Sequence, residues 1–536
     1  MRELFATISP AVLIGVNLGR KTLGFAGLLL AFGALVRPGP SVNNQENALV
    51  ATHGGSIVPT ATLACGADDD GPWKGIEGLF GVKSQDKPYP WSEVPAGSEF
   101  LIASVPDPAT THLALDFDRA VESIILAAGD SGFSFQRHWT PWRSTPEKEL
   151  SLLADRKCQQ QESELRNKQP GLLVFQNRNG RPLLIFLVGE SPTSGVNADQ
   201  LANSVRYIHT MTPYVGDRTI RVIGPSFSGS LPSLPFQLAA FPGVKFHLTS
   251  GMVTAEKEID RFEGQIAASG GKFESTVESD QRATKLFFEY AKSHWHSHSR
   301  TALLAEADTP YARDVALPRD VDGLTIRYPR EISRLRNAYQ EESAMAQKSG
   351  EPVAAAPALP FTLKDTDADS SGNSEKDSMP AFSRLQSPAS QQTVMAGIVS
   401  AIRRERTDFV GIVATDVLDA LFLSRYLRAS CPDTRLFVPD ADLLFSTQSN
   451  GGSFEGLLSI TTYPLFSRNQ GWTGDPGKRT QFASRYAEGV YNASRHLLDP
   501  AAILTEYTRP GERTTRPPLW LTVMGRDGYW PLALPR

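Results

Sequence analysis

The sequence predicts an α/β protein: two Rossmann-like lobes with mostly parallel sheets joined by a hinge, preceded by an N-terminal hydrophobic anchor or signal segment. Three observations carry this. Continuous apolar runs such as "GLLVFQ" (171–176) and "RPLLIFLVGE" (181–190) alternate with amphipathic stretches such as "ADQLANSVRYIHTM" (198–211). That is the pattern of parallel strands covered on both faces. The alternation occurs as two series, separated by residues 341–390, whose "SGEPVAAAPALP" and "KDTDADSSGNSEKDS" cannot bury enough apolar surface to order themselves. Finally, residues 22–36, "TLGFAGLLLAFGALV", form an apolar run behind Arg20 and Lys21. The run is shorter than the ~20 residues that span a bilayer comfortably. It suits the core of a secretion signal or an uncleaved anchor.

The elements follow in order. Residues 1–40 are the expected signal or anchor, and the Gly-, Pro-, Asn- and Asp-rich residues 41–97 a flexible linker. The first lobe spans 98–290. It opens with a strand at "EFLIASVP", then a helix with apolar positions Leu113, Phe117, Val121, Ile124 and Ile125, closed by Gly132. Strands at "TIRVIG" and "KFHLTSG" follow. The second lobe takes 291–340 and 391–460, around a disordered insertion at 341–390. It includes "RTALLAEAD", "DFVGIVATD", "VLDALFLSRYLRASCP", "TRLFVPD" and "EGLLSITTYP". Residues 461–536 are expected to return to the first lobe and end in a C-terminal tail. The size, 536 residues with 40% hydrophobic and 21% charged, is that of an ordinary globular protein of about three domains.

Composition excludes several classes. A net charge of −4 carries no basic stripe, so nucleic acid is not an expected partner. Three cysteines, Cys65, Cys158 and Cys431, lie far apart without the spacing of a zinc site or a disulfide framework. "GDPGKR" lacks the upstream glycine of a phosphate loop, and no GxGxxG follows the first strand. Asp365, Asp367 and Asp369 imitate a calcium loop, but Ser370 and Lys376 stand where the turn glycine and the bidentate glutamate belong. His294, His296 and His298 alternate and would share a strand face, yet no carboxylate or thiol accompanies them at ligand spacing. No cofactor is expected.

The stretch "IRVIGPSFSGS" (220–230) decides between functions. As a nucleophile elbow, Ser226 would follow Gly224, but Ser228 replaces the second glycine that lets the helix pack under the strained turn. His247, His294, His296, His298 and His496 lie downstream as partners for a hydrolase. As a cleft lip, the stretch joins other hydroxyl-rich strand ends: "GESPTSG", "LTSGMVT", "EADTPY" and "ATDVLD". In open α/β sheets ligands lie beyond the carboxyl ends of strands, where amides and helix N-termini favour anions. Turns and helix caps alone would also use these residues.

These segments, in this order over roughly residues 98–500, resemble the type I periplasmic binding proteins, the branched-chain amino acid and amide receptor group. "VIGPSFSGS", "LTSGMVT", "TALLAEADTPYA", "DFVGIVATDVLDALFLSRYLR", "GLLSITTYP" and "FASRYAEGVYNASRHLL" carry the resemblance. Ala312 stands in place of a glycine, and "HWTPWRSTPEKEL" has no counterpart. The resemblance implies a non-catalytic receptor that binds a small polar ligand, amino-acid- or amide-like, between its lobes. It implies ligand contacts from Ser228, Gly229, Ser230, Ser250, Thr254, Tyr311, Thr415 and Asp416. Its partners would be a small-molecule ligand and membrane transporter or sensor components. The protein would be membrane-anchored through its N-terminal segment, or periplasmic and exported. A serine hydrolase using Ser226 and a scaffold that kept the fold without a ligand are the alternatives.

Overall fold

The computed structural model describes residues 97–142, 167–212, 219–295, 300–307, 309, 317, 321–330, 332–349, 388–446, 454–466, 480–508 and 516–534. The chain divides into units 1–66 and 67–536, and the described residues belong to the second. The N-terminal apolar run, the linker before residue 97, Tyr311, His296, His298, the Asp365–Asp369 repeat and residues 350–387 lie outside them.

In chain order the elements are β1 (Glu99–Pro106), α1 (Ala114–Asp130), β2 (Phe133–Trp139), β3 (Gly171–Asn177), β4 (Pro182–Ser191), β5 (Gly195–Val196) and α2 (Ala198–Met211). Then come β6 (Thr219–Ile223), α3 (Leu234–Ala239), β7 (Lys245–Ser250), α4 (Glu256–Ala268) and β8 (Lys272–Ser275). The second series is α5 (Asp280–His294), β9 (Thr301–Glu306), β10 (Gly323–Tyr328), α6 (Ile332–Ser349), α7 (Pro388–Arg404), β11 (Phe409–Val413), α8 (Val417–Ser430), β12 (Arg435–Val438) and β13 (Leu458–Thr461). The chain closes with α9 (Arg485–Leu498), β14 (Trp520–Gly525) and β15 (Gly528–Ala533).

The strands form two sheets, as the doubled series predicts. The first is eight-stranded, ordered β2-β3-β4-β1-β6-β7-β8 with β5 paired to β4. β4, β1, β6, β7 and β8 run parallel, while β2 and β3 form an antiparallel extension. The second is seven-stranded, ordered β10-β9-β11-β12-β13-β14-β15, parallel as far as β13. Each sheet is covered on both faces, which is why β4 is apolar and buried throughout. On one face of the first sheet, α1 and α9 bury Phe117, Ile124, Val490 and Leu497 against Leu101 and Ala103. On the other, α2 and α4 bury Leu201, Val205, Ile259 and Phe262 against Ile102 and Phe186. The second sheet packs Ile398 of α7 and Leu421 of α8 on one side. On its other side Phe287 of α5 stacks on Phe437 with ring centroids 4.3 Å apart.

Three sequence boundaries move. The first lobe was expected to run to residue 290, but it ends after β8. The apolar face of α5 (Ala283, Phe287, Phe288) belongs to the core of the second sheet. Residues 461–536 were expected to return wholly to the first lobe and a tail. α9 does return, whereas β14 and β15 pair antiparallel onto β13, Leu458 facing Val523. The insertion is also shorter than 341–390, because α6 continues to Ser349 and α7 begins at Pro388.

The chain therefore passes between the lobes three times: from β8 to α5, from β13 to α9 and from α9 to β14. The crossings are tied to one another and to α9. Tyr463 Oη donates to the Thr276 carbonyl at 2.8 Å, and the Glu278 amide donates to Thr462 Oγ1 at 3.1 Å. Tyr507 donates to Glu488 at 2.9 Å, and Asn492 exchanges two bonds of 2.8 Å with the Thr505 backbone. α9 approaches the turn after β7 so closely that a Cβ on Gly251 would fall on the Gly489 carbonyl, and the converse holds for Gly489.

That contact generates a prediction. Gly489→Ala should destabilise the protein by at least ~1–3 kcal/mol, since backbone, not a flexible side chain, must yield. Gly129→Ala in α1, with no heavy atom within 4 Å of its would-be Cβ, should instead be neutral or stabilising by up to ~1 kcal/mol. Urea midpoints of the two variants measure this; equal midpoints would contradict the packing.

Candidate functional site: a cleft between the two sheets

Both sheets reverse their winding beside their first strand. β1 has β4 on one side and β6 on the other; β9 has β10 on one side and β11 on the other. Such switch points are where doubly wound sheets open a crevice at the strands' carboxyl ends. The loops that leave β6 and β11 there meet around one cavity of about 120 Å³. At about 10–15 Å³ per water position, it holds roughly ten waters. Its wall includes Ser226–Gly229 and Thr254 from the first lobe and Ala414, Thr415 and Val417 from the second.

The β6 loop is shaped by a buried acid. Glu190, last but one in β4, accepts hydrogen bonds from the amides of Ser226 (2.7 Å) and Phe227 (2.9 Å). The hydroxyls of Ser104 and Ser230 donate to the same carboxylate. Burial pushes the Glu190 carboxyl above its ordinary value even against these four donors. Gly224 enters the loop at φ +124°, with its would-be Cβ 2.8 Å from Ser104 Cβ, so no side chain fits there. Across the cleft Glu306, the last residue of β9, plays a similar part. Thr415 gives it a hydroxyl bond of 2.6 Å and an amide bond of 3.2 Å, and burial raises its carboxyl too.

The sequence-expected contact residues separate into two groups. Ser228, Gly229, Thr254 and Thr415 line the cavity. Ser228 Oγ accepts from the amides of Thr254 (3.1 Å) and Ala255 (3.3 Å), tying the loop to the start of α4. With both lone pairs engaged, its own proton is left to donate. The amides of Ser228 and Gly229 have no hydrogen-bond partner among the described residues. Ser230, Ser250 and Asp416 stand behind the wall. Ser230 is held by Glu190, and Ser250 donates to the Pro225 carbonyl at 2.7 Å. Asp416 caps α8 through the Leu418 amide (2.8 Å) and pairs with Arg336 (2.9 Å). Engaged by Arg336 and the start of α8, it is not the ligand contact that the resemblance implies.

Ser226 also lines the cavity, but its hydroxyl donates to the Ser104 carbonyl at 2.9 Å and accepts from Tyr486 at 3.3 Å. Among the described residues no hydrogen bond joins it to a histidine. His294 stacks on Tyr290 at 4.0 Å on the exposed end of α5. Among the described residues the group with metal-ligand proximity is His112, Asp416 and Asp419. Arg336 Nη1 already bridges those two carboxylates at 2.9 and 2.6 Å, so a guanidinium occupies the place a cation would take.

The remaining charges close the cleft, and sequence reasoning missed them. Arg119 of α1 grips Asp442, in the loop after β12, through two bonds of 2.7 and 3.2 Å. Arg485 pairs with Asp440. His112 lies 3.9 Å from Asp416. In both arginine pairs the first lobe supplies the cation and the second lobe the acid. Tyr529 of β15 accepts from the Asp442 amide at 2.9 Å, so the misread C-terminal strands brace this wall. Two signals in the sequence pointed here. Asp116 and Arg119 sit three apart on the first turns after β1, and "VPDAD" follows β12 at its carboxyl end.

No protein-family model matches the chain, and no curated protein matches it in sequence. Among solved structures, the chain is similar to a leucine-binding protein from Thermotoga maritima (10% identity, TM-score 0.43, covering 81% of this chain and 98% of that one). It is also similar to a branched-chain amino acid transporter substrate-binding protein from Streptococcus pneumoniae, solved with isoleucine (9%, TM-score 0.42, 81% and 99%). A third is a solute-binding protein of an ABC transporter from Rhodopseudomonas palustris, solved with 3,4-dihydroxybenzoic acid (9%, TM-score 0.45, 81% and 96%).

The Arg119–Asp442 pair is nearly water-free, with side chains 8% and 5% exposed. Asp442→Asn should cost ~3–5 kcal/mol, since it strands a buried guanidinium. Adding Arg119→Met should recover part of that loss. A double-mutant cycle by urea unfolding measures the coupling, and strictly additive losses would show that the pair does not join the lobes.

Proposed function

We propose that the protein is a non-catalytic receptor that binds a small polar ligand in the interlobe cleft, for transport or sensing. The observation that carries this reading is the cavity at both switch points, with the Ser228 hydroxyl proton and the Ser228 and Gly229 amides unclaimed among the described residues. Three donors converging on one wall suit a carboxylate, carbonyl or similar acceptor of the ligand. The apolar run at 22–36 supports export or anchoring of the chain. Among the described residues no helix is long and apolar enough to cross a membrane.

A thermal-shift screen of amino acids, amides and short peptides tests the reading. A ligand present at a hundred times its Kd stabilises by ~2.7 kcal/mol. Ser228→Ala should weaken that ligand by ~1–3 kcal/mol, through an acceptor left unpaired once the ligand has displaced the cavity's water. Ser226→Ala should change it little. Covalent labelling by a fluorophosphonate that disappears in Ser226→Ala would overturn the receptor in favour of a hydrolase. A screen with no stabilising compound would favour a scaffold.

A further inference from the structure

The carboxylates and guanidiniums of the cavity wall do not balance. Asp116, Asp440 and Asp442 face it, against Arg119 and Arg485, three acids to two bases. Both arginines are engaged across the cleft, Arg119 by Asp442 and Arg485 by Asp440. Asp116 is left with one weak contact, 3.5 Å from its Oδ1 to Arg119 Nη1, and its Oδ2 has no hydrogen-bond partner among the described residues. Its side chain is only 14% exposed. A buried carboxylate so poorly served is costly unless something pairs with it.

We propose that Asp116 is the cation-recognising residue of the cleft, and that the ligand presents a protonated amine to it. This rests on the cleft being a binding site and names what that site selects. A carboxylate-only ligand would meet no unengaged guanidinium and a surplus of negative charge. An ammonium group at Asp116 completes the balance, while the Ser228 and Gly229 donors take the ligand's acceptor end. Binding at Asp116 is coupled to its titration. Desolvation by burial raises its carboxyl to about 7, opposed by Arg119 on its own helix and assisted by Asp416 at the cap of α8 and Asp442 after β12. Tyr486 of α9, itself raised by burial, faces it as a neutral phenol. An ammonium ion needs the ionised carboxylate, so affinity should grow as pH rises. The ionised fraction changes about tenfold between pH 6 and pH 8 for a group titrating at 7.

The test uses the full chain and three probes of one size, n-butylammonium, 1-butanol and butyrate, measured by thermal shift and calorimetry at pH 6 and pH 8. The expected result is stabilisation by n-butylammonium alone, about tenfold tighter at pH 8. Asp116→Asn should weaken it at least tenfold and flatten the pH dependence, while Asp116→Glu retains both. Butyrate or 1-butanol binding as tightly as the amine, or an amine affinity unchanged in Asp116→Asn, overturns the role of Asp116 and leaves the receptor reading standing. No stabilisation by any probe overturns the amine proposal. The wider compound screen then decides separately whether the cleft binds anything.

Discussion

A carboxylate buried where no water reaches it organises the loop on which the cleft depends. Glu190 would be an expensive residue at the end of an apolar strand if it stood alone, because a desolvated charge costs several kcal/mol. It is surrounded instead by two amides and two hydroxyls drawn from β1 and the β6 loop. Those donors are what give the Ser226–Ser230 turn one conformation, and that conformation presents Ser228 and Gly229 to the cavity. The cost of the charge and the order of the loop are the same fact seen from two sides. Glu306 repeats the device with fewer donors in the second lobe.

The lobes meet through charge of opposite sign as well as through apolar packing, in which Leu115, Ala127, Ala487 and Tyr491 of α1 and α9 join the core of the second sheet. Arg119 and Arg485 reach across to Asp442 and Asp440. Because the sign is the same in every pair, the two faces attract over a distance before they touch, and salt should loosen what water-free contact tightens. A ligand entering this cleft joins an electrostatic arrangement that is almost complete.

Much of the fold was legible because it depends on period and burial, which a single sequence carries. The strands at "PLLIFLVGES" and "FVGIV" are apolar throughout, as a strand covered on both faces must be. The helix at Ala198–Met211 has its Asn197 cap. What could not be read was partnership. Asp416 looks the same in sequence whether it faces a ligand or Arg336, eighty residues away. Ser230 looks the same whether it meets solvent or Glu190. Asp116 and Arg119 were visible only as polar residues of an amphipathic helix, since the aspartate that defines Arg119 lies 323 residues on. β14 and β15 were lost because their partner strand precedes them by about sixty residues of helix and loop.

The pairing of α1 with α9 bears on how the chain comes to be folded. Tyr491 binds Asp130 across 361 residues of sequence, and Arg495 reaches Ser131 across 364. The first lobe thus lacks half of its cover on one face until α9 has been made, and the second sheet waits longer still for β14 and β15. Closure of so wide a loop is entropically slow, and folding slows as contacts become less local. During synthesis the emerging chain would display the apolar face of its first sheet, unable to finish either lobe ahead of the other. The two lobes are separate in space but not in time: neither is complete until α9 and the β14–β15 pair have been added.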